Sequence, residues 1–178
     1  MNLPNKITIL RLISIPFFLY CLKVGQAKVA FLIFLVAVLS DALDGYLART
    51  RGQKTKLGSI LDPVADKALV LSAFVMLTFF YHRIPSWLTW VVIGRDIILL
   101  VGFGILHLSL GSVEIIPSAW GKMTTLLQFS VVVIALFSEA FRPYPRIILG
   151  LAYPTVAFTA ISGVHYLIRG SLCLLRKK

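Results

Sequence analysis

Six apolar stretches, at roughly 8–24, 27–47, 60–80, 87–109, 119–138 and 147–168, make up most of this chain. Each is close to the ~20 helical residues that cross a hydrocarbon core about 30 Å thick. The connections between them are too short to hold a soluble domain. With 58% hydrophobic residues over 178 positions and a mean hydropathy of +0.90, the composition lies outside the soluble range. In hydrocarbon every backbone N–H and C=O must find a partner inside the protein, so such stretches read as helices. The expectation is an all-α integral membrane protein. It is a six-transmembrane-helix bundle forming a single membrane domain over residues 1–178.

Charge orients the bundle. The net charge is +11, and with the N-terminus inside, eleven of the eighteen Lys and Arg flank the inner side. Five flank the outer side, while Lys67 and Arg95 fall within spans. The positive-inside rule then puts both the N-terminus and the C-terminus in the cytoplasm. A basic inner face suits anionic lipid or nucleotide partners. Nucleic acid is excluded as a partner, because the charge is spread over membrane flanks instead of a docking face. The first apolar stretch lacks a small-residue cleavage site and reads as a span, not a removable signal. Cys21 and Cys173 sit in apolar helical contexts and read as packing residues.

Along the chain, Leu3–Asn5 with Pro4 reads as an extended start, and Pro16 as a kink in the first span. Gly25 and Gln26 make an outer turn, and Arg49 to Lys56 reads as a short cytoplasmic loop. His82 to Pro85 make a second outer turn, with Trp87 and Trp90 at the interface. Gly111–Ser118 reads as an inner loop and Arg142–Pro145 as an outer turn.

Against this background the acidic residues stand out. Asp41, Asp44, Asp62 and Asp66 are four of the seven acids in the chain. A carboxylate in a span costs about 2.5–3.5 kcal/mol on insertion scales, so four together need a compensating partner. Asp41 and Asp44 are three apart and Asp62 and Asp66 four apart, which puts each pair on one helix face. Oxygen-only ligands converging from two helix ends suit a hard divalent cation such as Mg²⁺. The plainer alternative is that these acids pair with Lys67 or Arg49 to hold the bundle together.

From Asp41 to Asp66 the chain reads D-A-L-D-G-Y-L-A-R, eight residues, then G-S-I-L-D-P-V-A-D. This resembles the signature of the CDP-alcohol phosphatidyltransferase family, with Asp41, Asp44, Gly45, Ala48, Arg49, Gly58, Asp62 and Asp66 at all its fixed positions. The resemblance implies an enzyme of phospholipid biosynthesis that uses Mg²⁺, with Mn²⁺ as a substitute and two ions in the site. The four aspartates hold the metal, and a pyrophosphate substrate needs that charge neutralised. Asp41, Gly45, Ala48, Arg49, Gly58 and Asp62 take the CDP group. The small residues let it approach the backbone, although close helix packing also explains them. Arg49 has the geometry for a bidentate phosphate contact. By the same resemblance Asp66 is also the general base on the acceptor hydroxyl.

The acceptor is read from residues outside that signature. Arg95 and Asp66 each come to about 12 Å deep in their spans, near the bilayer middle. An arginine there faces a polar cavity, where it meets an anionic acceptor or pairs with Asp96. Gly121, Lys122, Thr125 and Gln128 recur near helical spacing and form a stripe able to reach a phosphate, unless Lys122 merely snorkels. Asn5, Thr8 and Arg11 are candidates for acceptor or headgroup contact, with interfacial anchoring as the alternative.

Leu-Pro-Asn at the start, L-D-P-V-A-D-K, G-R-D-I-I and G-K-M-T-T-L-L-Q look like the bacterial phosphatidylglycerophosphate synthases of this family. That implies transfer of phosphatidyl from CDP-diacylglycerol to sn-glycerol 3-phosphate, with release of CMP, at the cytoplasmic face of a bacterial inner membrane. Two positions depart from the pattern: Asp96 stands where glutamate is common, and Thr124 where a second lysine is common. The Arg-Asp pair also looks like CDP-diacylglycerol-dependent cardiolipin synthases, which keeps phosphatidylglycerol open as acceptor. A homodimer is carried over from the family. A cation transporter is the remaining class, but such proteins show inverted repeats with broken helices in both halves. Here the acids cluster in one hairpin.

Overall fold

The computed structural model describes the backbone of residues 3–51, 56–110, 119–141 and 144–175. Side chains are described for 10–40, 65, 67–102, 104, 119–141, 144–169 and 171. All six elements are helices: α1 (Leu3–Lys23), α2 (Ala27–Arg51), α3 (Lys56–Phe79), α4 (Ser86–Leu110), α5 (Ala119–Ala140) and α6 (Pro145–Leu175). No strand occurs among the described residues. The helices cover the six apolar stretches and mostly run past their ends.

Two differences from the sequence reading have local causes. Leu3–Asn5 is helical and not extended, because Pro4 falls in the first turn of α1, where its missing N–H has no partner to lose. α2 continues through Arg51, so Arg49 is helical and not in a loop. Arginine and threonine tolerate helix, and solvation of a charged head does not require the backbone to unwind. The inner loop at 111–118 lies outside the described residues. The turns at Gly25 and His82 are as expected, and both residues have positive φ, 77° and 52°.

Two compact units divide the chain. The first comprises Met1–Arg83 with Val132–Pro145, and the second Ile84–Val131 with Arg146–Lys178. In the first, α1 packs on both α2 and α3. Phe18 and Leu22 of α1, Ala30 and Phe34 of α2, and Leu69, Ala73 and Leu77 of α3 are fully buried, at spacings of four or eight that select one face of each helix. Phe18 and Phe34 meet at 5.8 Å between ring centroids. Towards the α1–α2 turn, Arg83 Nε donates to Glu139 Oε2 at 2.5 Å, and the Tyr81 hydroxyl donates to the Leu22 carbonyl.

The second unit is built on a stripe of α6. Ile148, Ala152, Thr155, Thr159 and Ser162 are all buried, alternating steps of four and three. The stripe changes from apolar to polar along its length. Thr155 and Thr159 donate to the carbonyls of Leu151 and Thr155, which keeps both hydroxyls satisfied just past Pro154.

Opposite these buried faces, α1 exposes Leu10, Ile13 and Phe17, α2 exposes Leu32, Val36 and Leu39, and α6 exposes Tyr153, Val164 and Ile168. Helices apolar on their outer faces are at home in lipid. Among the described residues two helices are long and apolar enough to cross a membrane, Ala119–Ala140 and Pro145–Arg169, with shorter apolar helical runs at Ala27–Ser40 and Lys67–Phe79.

Candidate active site

Both halves of the aspartate signature lie on continuous helix. Asp41, Asp44, Gly45, Ala48 and Arg49 occupy the last turns of α2, and Gly58, Asp62 and Asp66 the first turns of α3. On an α-helix 41, 44, 45 and 48 share one face, as do 58, 62 and 66. Only residues 52–55 separate the two helices in the chain, and connections this short usually join antiparallel neighbours. The two carboxylate-bearing stretches are thus the facing ends of consecutive helices in the sequence. The side chains of these eight residues, and of Asn5 and Thr8, lie outside the described residues. Ala65, within the signature, is fully buried, and Lys67, directly after it, is half-buried. Four carboxylates with no histidine or cysteine among them are by their chemistry suited to a hard divalent cation.

Arg11 is buried in the first unit, only 4% exposed. With Leu10, Ser14, Val29, Val36 and Ser40 it lines a cavity of about 280 Å³ between α1 and α2. The Ser14 hydroxyl donates to the Arg11 carbonyl at 2.7 Å. Ser40 immediately precedes Asp41, so this mostly apolar cavity ends beside the signature in the chain.

The other expected acceptor residues belong to the second unit. Arg95 on α4 has a side chain only 10% exposed. Its Nη1 donates to Asp96 Oδ1 at 2.7 Å and its Nη2 to Ser162 Oγ on α6 at 2.9 Å. The Nε is buried without a hydrogen-bond partner among the described residues. Arg95 thus pairs with Asp96, and its Nε is the guanidinium nitrogen left without a partner among the described residues.

The stripe on α5 divides. Lys122 and Thr125 are exposed, and the Thr125 hydroxyl donates back to the Gly121 carbonyl at 3.0 Å. Gln128 of that stripe is buried, as is Thr124 outside it, with Val131 and Ala135 continuing their register. A step of one residue turns the side chain by about 100°, enough to exchange a buried for an exposed position. Thr124 Oγ1 lies 2.9 Å from the Trp120 carbonyl and 3.0 Å from that of Phe158. Gln128 Nε2 has no hydrogen-bond partner among the described residues. Sequence reading passed over Ser162; its only local sign is the repeat with Thr155 and Thr159, which places three hydroxyls on one face.

The family described as CDP-alcohol phosphatidyltransferase matches residues 1–161. A probable phosphatidylglycerophosphate synthase of Mycobacterium tuberculosis (strain ATCC 25618 / H37Rv) is 34% identical over 179 residues, covering 94% of this chain and 81% of the relative. A CDP-diacylglycerol–glycerol-3-phosphate 3-phosphatidyltransferase of Aquifex aeolicus (strain VF5) is 32% identical over 173 residues, 96% of each chain. The protein of the same name from Escherichia coli (strain K12) is 44% identical over 107 residues, covering 55% of this chain and 56% of the relative.

Proposed function

The chain belongs to the CDP-alcohol phosphatidyltransferase family, and on that premise we propose that it transfers phosphatidyl from CDP-diacylglycerol to sn-glycerol 3-phosphate, releasing CMP. It is a transferase of phospholipid biosynthesis. The observation that carries the substrate assignment is the complete signature on α2 and α3 in a chain whose Aquifex relative, named for that reaction, is matched over 96% of both lengths.

The chain's own residues divide the work. Asp41, Asp44, Asp62 and Asp66 hold two divalent ions, Mg²⁺ or in its place Mn²⁺. When bound, these supply charge neutralisation for the pyrophosphate and the departing CMP. Arg49 holds a phosphate, while Gly45, Ala48 and Gly58 leave room for the nucleotide against the backbone. Asp66 accepts the proton of the primary hydroxyl of glycerol 3-phosphate. That oxygen bonds to the phosphorus carrying diacylglycerol, and the bond from this phosphorus to CMP breaks. A carboxylate in such surroundings works through position more than through high basicity. Arg95, Lys122 and Thr125 of the second unit are assigned to the acceptor's phosphate, and Asn5, Thr8 and Arg11 of the first to acceptor or headgroup contact.

In this reading residues 1–178 form one membrane domain of six spans with both termini cytoplasmic. It works as a homodimer in a bacterial inner membrane, and its site faces the cytoplasm. The basic inner flank supports that orientation.

A second reading takes phosphatidylglycerol as acceptor. It is favoured by Thr124, whose hydroxyl lies on two backbone carbonyls and does not stand in for a lysine. One assay separates the readings: purified protein, Mg²⁺ and CDP-diacylglycerol, with glycerol 3-phosphate or phosphatidylglycerol. CMP release with glycerol 3-phosphate alone is the expected result. Release with phosphatidylglycerol alone would install the second reading, and release with neither would remove the enzymatic assignment.

A further inference from the structure

We infer that Ser162 of α6 is a positioning residue of the acceptor site, which with Asp96 holds the Arg95 guanidinium so that its Nε edge is presented to a phosphate oxyanion. This inference rests on the proposed role of Arg95 in acceptor binding.

A guanidinium is planar and carries five N–H donors in a fixed fork. Arg95 and Asp96 are adjacent on α4, about 100° apart around the helix, so their side chains do not naturally face each other. Asp96 alone would tether one nitrogen of the group and leave its plane free to turn. The second tether comes from another helix: Ser162 Oγ accepts from Nη2 at 2.9 Å, while Asp96 Oδ1 accepts from Nη1 at 2.7 Å. Two anchors on different nitrogens, one on α4 and one on α6, fix the plane. Ser162 is fully buried, so bulk water does not compete for its hydroxyl.

What the anchors leave over carries the inference. Arg95 Nε is buried and has no hydrogen-bond partner among the described residues. A purely structural ion pair has no reason to strand a donor of a charged group inside the protein, where an unmet donor is destabilising. Nε and the neighbouring Nη together form an edge suited to two parallel bonds to one oxyanion. The missing acceptor is therefore a phosphate, carried by glycerol 3-phosphate or by the diester of phosphatidylglycerol. Neighbouring Gly163 does not force this arrangement, since a Cβ there would meet Arg95 Cγ at an ordinary 3.7 Å.

The test is a KM-against-kcat comparison of wild type, Ser162→Ala and Ser162→Thr, run with each acceptor. Removing one hydrogen-bond anchor should raise KM for the productive acceptor about fivefold to tenfold, the range of a single hydrogen bond of ~1 kcal/mol or slightly more. KM for CDP-diacylglycerol should stay within about twofold. Ser162→Thr, which keeps the hydroxyl, should restore the acceptor KM. An unchanged acceptor KM in Ser162→Ala, or an equal rise for both substrates, would overturn the positioning role while wild-type turnover keeps the enzymatic reading intact. No CMP release by the wild type with either acceptor would instead remove that reading, and this inference with it.

Discussion

The Thr124 hydroxyl of α5 lies 3.0 Å from the backbone carbonyl of Phe158 on α6, and 2.9 Å from that of Trp120 in its own helix. The Trp120 and Phe158 rings approach at 5.8 Å beside it. A position that reads as a substitute for a ligand-binding lysine is instead an interhelical tie.

Thr124→Val keeps the shape and removes the hydroxyl. It should lower stability by about 1 kcal/mol, the net worth of one buried hydrogen bond. Thermal unfolding of the detergent-solubilised protein measures this. Acceptor KM should hardly change, because the hydroxyl is occupied by backbone; a large selective rise would show that Thr124 contacts the acceptor.

Arg95→Ala removes a charged, hydrogen-bonded group. A loss of ~1.5–3 kcal/mol of charge-assisted bonding corresponds to a rise of about tenfold to a hundredfold in acceptor KM. The CDP-diacylglycerol KM should move far less. Equal effects on the two substrates would disconnect Arg95 from the acceptor.

Asp66→Asn is expected to reduce CMP release by about 10²–10⁴-fold, the usual contribution of a positioned acid or base. Membrane expression and detergent monodispersity should match wild type, since the change is nearly isosteric. Turnover near the wild-type rate would remove Asp66 as the proton acceptor.

Tyr81, just past the end of α3, gives the first unit a pH dependence. Burial, and then the negative charge of Glu139, raise its phenol above the ordinary value near 10. The fold therefore favours the protonated form, which donates to the Leu22 carbonyl. Stability from this group is complete below about pH 10 and is lost as pH rises through the higher folded value. The Tm difference between wild type and Tyr81→Phe should be constant at neutral pH and shrink in the alkaline range. A difference independent of pH up to the alkaline limit would mean that the phenol titrates normally.

Much of this architecture is visible in single segments. Apolar length marks the six helices, and the three- and four-residue steps from Asp41 to Asp66 place the acids on helix faces before any packing is known. Helix ends are less legible. α2 runs on to Arg51 because side-chain solvation, and not backbone unwinding, settles its charged end. Thr124 and Thr125 show the limit more sharply. Both are threonines in a polar stretch, and only the rotation of α5 against α6 buries the first and exposes the second.

The signature of eight residues is a one-dimensional object: its spacing carries the family, the helical faces and the oxygen-only donor set, since helical periodicity relates neighbours in the chain without reference to anything else. The acceptor side is of another kind. Arg95 and Ser162 are 67 residues apart, and their hydrogen bond exists because α4 and α6 meet at one level in the second unit. Which donor of Arg95 is engaged and which is left over depends on that meeting, because a hydrogen bond is satisfied by whatever atom packing brings within about 3 Å.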